Sequence, residues 1–358
     1  VILTKEVTQL TPVEKLRNLL QKENVDGIFV KGDASLRYLT GFTGGESLLY
    51  IDQTQKVIIT DSRYTLQVKQ QAPDSTLVEH TQGFWPEVAK LTVGSRLALD
   101  GDYFSYADQC ALAVVLPQAT WKSLNLVGLR QVKTPDELKD ITKAVDIADE
   151  AFRQLMPHIK AGVTEAALAA ELEYNMRRLG SEKTSFTTIV ASGVRSALPH
   201  GVASHKVVEK GDFVTFDFGA TYNGFCSDIT RTVVVGKAAP WQKEIYDIVL
   251  QAHLLGEAFL KPGLTGLEVD AKVRQYITDK GYGQYFGHGL GHGVGLEIHE
   301  MPVLNKRNKV PLPMGAIVTI EPGIYLPGKG GVRIEDTVLI TADGSRKLTA
   351  SPKEFREL

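Results

Sequence analysis

One strand is written twice in this chain. Val214-Thr215-Phe216-Asp217-Phe218-Gly219 and Val318-Thr319-Ile320-Glu321-Pro322-Gly323 share an apolar alternation with an acid at the same place. Each is followed by a second acid, Asp228 after the first copy and Glu335 after the second. Another internal match runs in the same order, His158-Ile159-Lys160-Ala161-Gly162-Val163-Thr164 against Phe259-Leu260-Lys261-Pro262-Gly263-Leu264-Thr265, each before a helical stretch closing at Gly180 or Gly281. Both matches are offset by roughly 100 positions, so this part of the chain reads as a duplication in which each half supplies helices, then strands, then acids. If the halves face each other, four carboxylates converge. That much negative charge in one place needs cations, and divalent metal ions are the natural ones.

Strand geometry places Val214, Phe216 and Phe218 on one face and Thr215, Asp217 and Gly219 on the other, so Asp217 points away from the bulky apolar row. A lone strand acid is ordinarily a solvated surface group. Its repetition by Glu321, between the short residues Thr319 and Gly323, argues for a cavity instead. Gly224 and the run Gly328-Lys329-Gly330-Gly331 supply turns that return each second acid beside the first.

Between the acidic pairs lies Phe286-Gly287-His288-Gly289-Leu290-Gly291-His292-Gly293, continuing to His299-Glu300. Glycines on both sides of His288 and His292 permit close backbone approach around a ligand. His253, without such a setting, reads as a surface or hydrogen-bonded core residue. The H-E-x-x-H spacing of a zincin is absent, and one imidazole among carboxylates favours two hard ions such as Mn2+ or Co2+, with Zn2+ or Fe2+ as alternatives.

The rest of the chain sets bounds. At 358 residues it exceeds one ordinary core, and 43% hydrophobic against 23% charged residues with a net charge of -2 calls for neither nucleic acid nor an anionic membrane as partner. Cys110 and Cys226 are the only cysteines, which fits a reducing, cytoplasmic setting. The first residues, Val1 to Glu6, lack a secretory apolar core, and no later stretch is long and apolar enough to span a bilayer. Thr11-Pro12-Val13-Glu14 starts a helix whose Val13, Leu16, Leu19 and Leu20 share a face; strands are expected at Gly27–Val30, Lys56–Thr60 and, more weakly, Arg96–Asp100. Thr134-Pro135-Asp136-Glu137 starts a second long helix, carried by Leu138, Ile141, Val145, Ala148 and Phe152. The expected division is therefore an α/β domain over 1–130 and a duplicated domain over 131–358.

Thr215 to Thr232, Gly287 to Pro302 and Ile320 to Glu335 resemble the signature segments of the pita-bread metallopeptidases, which include methionine aminopeptidase, aminopeptidase P and prolidase. Arg37-Tyr38-Leu39-Thr40-Gly41-Phe42-Thr43-Gly44 and Thr60-Asp61-Ser62-Arg63-Tyr64 look like the creatinase-type domain that precedes the catalytic half in aminopeptidase P and prolidase. The resemblance implies an α/β fold with a pseudo-two-fold pita-bread catalytic domain, and the order Asp, Asp, His, Glu, Glu is complete as Asp217, Asp228, His292, Glu321 and Glu335. It implies that Asp217 chelates one metal, Asp228 and Glu335 bridge both, and His292 and Glu321 ligate the other. A metal-bridging water or hydroxide would be the nucleophile, with Glu321 also moving its proton. His288 and His299 match family histidines that bind the substrate carbonyl and oxyanion, and His200 one near the scissile nitrogen. Arg333, on the strand face of Glu335, reads either as a group orienting a ligand carboxylate or as a surface salt bridge.

Two dinuclear peptidases fit. The first choice is an Xaa-Pro aminopeptidase of aminopeptidase P type, acting on short proline-containing peptides; the alternative is prolidase, restricted to Xaa-Pro dipeptides. A bond to proline lacks the amide N–H on which ordinary peptide recognition relies. A creatinase-like amidinohydrolase or a non-catalytic binding module would be expected to have lost metal ligands, and all five stand here. The family also implies a homodimer.

Overall fold

The computed structural model describes residues 10–358. The reading of Val1 to Glu6 lies outside them. The chain divides into two compact units, one ending at Arg130 and the other running Gln131–Leu358.

In the first unit Pro12 and the reciprocal capping box of Thr11 and Glu14 start α1 (Pro12–Lys22), which buries Leu16 and Leu20. There follow β1 (Gly27–Val30), α2 (Asp33–Thr40), β2 (Leu48–Asp52), β3 (Lys56–Thr60), α3 (Thr65–Gln71), β4 (Thr76–Glu79), α4 (Phe84–Val88), β5 (Arg96–Asp100), α5 (Tyr106–Val115) and β6 (Thr120–Leu124). The six strands form one mixed sheet in the order β4-β3-β2-β1-β5-β6. Its inner strands are apolar on both faces because helices cover both.

The second unit carries the duplication. Its first half runs α6 (Pro135–Leu155), α7 (Glu165–Arg178), β7 (Ile189–Ser192), β8 (Phe213–Phe218), β9 (Thr221–Tyr222), β10 (Phe225–Cys226) and β11 (Ile229–Val234). The second half answers with α8 (Pro240–Phe259), α9 (Gly266–Asp279), β12 (Gly291–Gly293), β13 (Glu300–Leu304), β14 (Ile317–Ile320), β15 (Gly323–Leu326), β16 (Gly330–Arg333), β17 (Asp336–Ile340) and β18 (Ser345–Lys347). Two antiparallel sheets result, β11-β8-β7 and β13-β12-β14-β17-β18. In the first, Phe216 and Phe218 lie on Phe152 of α6 with ring centroids 5.5 and 5.4 Å apart. Burying each such ring contributes about 1.5–3 kcal/mol and fixes which strand face looks away from the core.

Each half also has a small hairpin between its two acids. Asn223 and Gly224, both at positive φ, turn β9 into β10, while Gly328 at φ 71° turns β15 into β16. The two sheets meet at one bridge, Thr230 with Glu335.

Candidate metal centre

Strand register places the acids. Asp217 on β8 is paired with Thr230 of β11, and Asp228 stands just before that strand. In the second half Ile320 of β14 is paired with Asp336 of β17, so the adjacent residues Glu321 and Glu335 come level with each other. The bridge then brings the two halves together: the Glu335 N–H donates to the Thr230 carbonyl at 3.1 Å, and the Thr230 hydroxyl donates to Glu335 Oε2 at 2.6 Å. All nine residues singled out from the sequence line a single cavity of about 510 Å3: His200, Asp217, Asp228, His288, His292, His299, Glu321, Arg333 and Glu335.

Within it, ligand atoms of Asp228, His292 and Glu335 lie within 4.8 Å of one another. Glu321 joins through Oε1, 3.4 Å from His292 Nε2, and its other fixed partner is the Thr319 hydroxyl at 3.2 Å. Asp217 is held differently. Arg333 Nη2 donates to its Oδ2 at 2.6 Å, Nη1 to the Tyr325 hydroxyl at 2.8 Å and Nε to the Thr230 hydroxyl at 3.1 Å, so Arg333 is a buried brace with every arm engaged.

The chemistry of the donors fits divalent cations. His292 Nδ1 faces the Gly293 carbonyl at 3.1 Å, and a carbonyl only accepts, so the proton is on Nδ1. The lone pair of Nε2 therefore looks at the carboxylates of Asp228 and Glu321 at 3.5 and 3.4 Å, an arrangement that suits a cation between them. Asp217 Oδ1 and Asp228 Oδ1 are buried with no hydrogen-bond donor. Four carboxylates share the guanidinium of Arg333, and the donor set has room for two ions. A second acid and histidine cluster, His253 with Glu257 and Asp336, does not present the same case. Lys353 Nζ already sits in it, 2.7 Å from each carboxylate and 3.3 Å from His253 Nδ1. His253 is thus a core residue of an ionic network.

Electrostatics say the same. Burial, reinforced by mutual repulsion, pushes Asp228 and Glu335 well above the ordinary carboxylate range, and burial above all takes Glu321 up to about 8. Burial holds His288 and His292 down to about 4. These shifts fix a sign. A raised carboxylate pKa stabilises the metal-free fold below about 4.5 and loses that contribution as pH climbs through the folded value. The depressed histidines act the other way, but only below their ordinary value of 6.5. Between pH of about 6.5 and about 8 the carboxylates act alone, so the melting temperature of chelated protein is expected to fall across that window. Added Mn2+ should flatten the fall; a chelated profile that is level or rising would contradict it.

The chain matches metallopeptidase family M24 over residues 139–342 and the creatinase/prolidase N-terminal domain over residues 12–132. It belongs to metallopeptidase family M24. An Xaa-Pro dipeptidase of Pyrococcus furiosus is 40% identical over 355 residues, covering 96% of this chain and 99% of that one. The solved structure of an Xaa-Pro dipeptidase from Bacillus anthracis superposes with a TM-score of 0.94 at 47% identity, over 97% of this chain and 99% of that one. An X-Pro aminopeptidase from Thermotoga maritima gives 0.90 at 40% identity, with the same coverage of each. This M24 chain is therefore a metallopeptidase, with a creatinase-type domain ahead of a pita-bread domain.

The M24 site also uses residues that carry no motif. Tyr325 links His288 Nε2 to Arg333, at 2.8 Å on each side. Arg274 of α9 donates to the carbonyls of Phe286 and His288, both at 2.6 Å, while Asp270 binds Arg274 and receives the Leu290 N–H. Together they clamp the glycine-rich segment that presents the histidines. Arg274 and Asp270 lie one helical turn apart on α9, which is a legible i, i+4 pair, but nothing in the sequence says that it reaches the segment.

Proposed function

We propose that this chain is a dinuclear, proline-specific metallo-exopeptidase whose preferred substrate is an Xaa-Pro dipeptide. Its likeness, over nearly its whole length, to proteins named Xaa-Pro dipeptidase carries that preference. The motif segments alone favoured aminopeptidase P, and the X-Pro aminopeptidase from Thermotoga maritima keeps release of an N-terminal residue from longer peptides as a second reading.

Asp217, Asp228, His292, Glu321 and Glu335 would hold two divalent ions, Mn2+ in preference to Co2+, Zn2+ or Fe2+. When bound, the ions supply Lewis acidity and a water ionised near neutral pH. Arg333 fixes the orientation of Asp217, and the Thr230 hydroxyl that of Glu335. Glu321, with Oε1 3.4 Å from His292 Nε2, can take a proton at a carboxylate oxygen and return it towards the departing proline nitrogen. His299, edge-on to His292 with ring centroids 4.3 Å apart, is assigned the donation to the substrate carbonyl oxygen. His288 has both ring nitrogens engaged, by the Gly289 carbonyl and Tyr325, so it serves the same oxygen by exchanging one of them. His200 is assigned to the side of the scissile nitrogen.

Residues 1–130 are read as the creatinase/prolidase-type domain and 131–358 as the catalytic domain, and the protein as a cytoplasmic homodimer. Among the described residues no helix is long and apolar enough to cross a membrane, and both cysteines are free. Hydrolysis of an Xaa-Pro dipeptide, an Xaa-Pro-Xaa tripeptide and a proline-free dipeptide by Mn2+-reconstituted protein tests the assignment. Cleavage of the first alone is expected. Faster cleavage of the tripeptide would move the assignment to an aminopeptidase, and equal cleavage of the control would remove proline specificity.

A further inference from the structure

The duplication breaks at one helix start. α9 opens on Gly266, whereas α7 opens on Glu165, a carboxylate with no solvent exposure. The hydrogen-bond donors to the Glu165 carboxylate lie in the segment that leaves β7 at Ser192 and returns at Ser204. Its Oε1 accepts from the Ser192 N–H at 2.7 Å and the Ser192 hydroxyl at 2.8 Å. Its Oε2 accepts from the Ser204 N–H at 3.1 Å and the Ser204 hydroxyl at 2.6 Å. Arg195 Nε reaches the same oxygen at 3.0 Å, and Arg195 Nη2 donates onward to the Val202 carbonyl at 2.7 Å. One carboxylate thus ties both ends and the inside of a loop, and the part of that loop it does not touch, Pro199, His200 and Val202, lines the metal cavity.

The side chain is suited to this. Burial works against its charge, but the serine donors and Arg195 outweigh burial and hold its pKa below the ordinary carboxylate value. Its place at the first turn of α7 adds the favourable end of the helix dipole. Lys206 braces the same base from outside, donating to the Ser192 hydroxyl at 3.0 Å and to Asp212 at 2.7 Å. The Ala166 N–H also donates to the Ser204 carbonyl at 2.9 Å and the Lys206 N–H to the Ser204 hydroxyl at 3.2 Å, and to these ties the Glu165 carboxylate adds a single side chain that joins Ser192, Arg195 and Ser204.

We propose that Glu165 is a positioning residue: by pinning Ser192, Arg195 and Ser204 it sets where His200 and the apolar rim beside it meet the substrate. This rests on the Xaa-Pro reading for the role of His200, not for the pinning itself.

Two measurements separate the two. Hydrogen exchange on metal-loaded Glu165→Gln should show residues 193–204 exchanging at least about tenfold faster, with β8, β11, β14 and β17 unchanged. Hydrolysis of the Xaa-Pro dipeptide should lose about 10–100-fold in kcat/KM, with metal content retained. In a His200→Ala background the same substitution should cost less than about threefold, because the group it positions is gone. Glu165→Asp, which keeps the charge, should recover part of the loss and serves where the glutamine variant fails to fold. Unchanged exchange in 193–204 would overturn the pinning. Fully additive losses with His200→Ala, or loss of metal along with activity, would overturn the action through His200. Wild-type protein that cleaves no proline substrate would sink the Xaa-Pro reading while the exchange result still decides the pinning.

Discussion

Asp228→Asn is expected to cut metal-dependent hydrolysis by about 10^3-fold or more, and to make the metal-free protein melt at a higher temperature than metal-free wild type. The two effects have one cause. Asp228 is buried among Glu335, Asp217 and Glu321, and both burial and those neighbours push its pKa well up. Without metal its charge is a cost to the fold, and an amide of the same shape removes it. With metal the same charge is a ligand, and a Lewis-acid contribution of several kcal/mol depends on it; about 4 kcal/mol corresponds to a thousandfold in rate. Metal content, activity and melting temperature of chelated protein can be read on one preparation. A variant that keeps its activity would remove Asp228 from the centre. One that loses activity but melts lower without metal would make the residue a structural support instead.

What the sequence showed of this site, and what it concealed, follows from the range of the forces involved. The acids were legible because a two-residue period and a duplication are local patterns, and β8 and β14 obey them. Capping boxes at Thr11 and Thr134 marked α1 and α6 for the same reason, since all the interacting groups lie within one turn. Gly224 announced its hairpin because only a residue tolerant of positive φ suits that turn. Strands β4 and β6 left little trace: they are sheet edges, half solvated, without an apolar run. Tyr325, Arg274 and Glu165 were invisible for a different reason. Each acts on a residue brought near by the tertiary fold, as Glu165 does on Ser192 and Ser204, and no periodicity records such a meeting. Arg333 was ambiguous in sequence between a surface pair and a brace. Its engagement with Asp217, Tyr325 and Thr230 in a buried setting decides for the brace.

Asp336→Ala should destabilise the second unit by about 3–5 kcal/mol and should depress activity with it. Asp336 follows Glu335 directly and points to the opposite side of β17, away from the cavity. There its Oδ1 accepts from Arg231 Nη2 at 2.6 Å and its Oδ2 from Lys353 Nζ at 2.7 Å, with all three side chains buried or nearly so. Burial opposes its charge, yet Arg231, His253 and Lys353 hold its pKa far below the ordinary carboxylate value. Removing it leaves Arg231 without its carboxylate and Lys353 with one in place of two, beside His253, which burial keeps neutral with its pKa down to about 3. Arg231 retains carbonyl partners on Thr230, Glu335 and Ser351, so the strand junction is loosened before it is lost. Lys353 keeps only Glu257 and the imidazole. Much of the penalty is therefore an ammonium left with one carboxylate where it had two, and Lys353→Met added to Asp336→Ala should recover part of it, although the two substitutions remove more of the chain's own interactions than either alone. Urea denaturation of chelated protein measures this without the metal's own contribution to stability. A loss below about 1 kcal/mol for Asp336→Ala, or a double variant no better than the single, would mean that the network is solvated in solution and does not hold Glu335 in place.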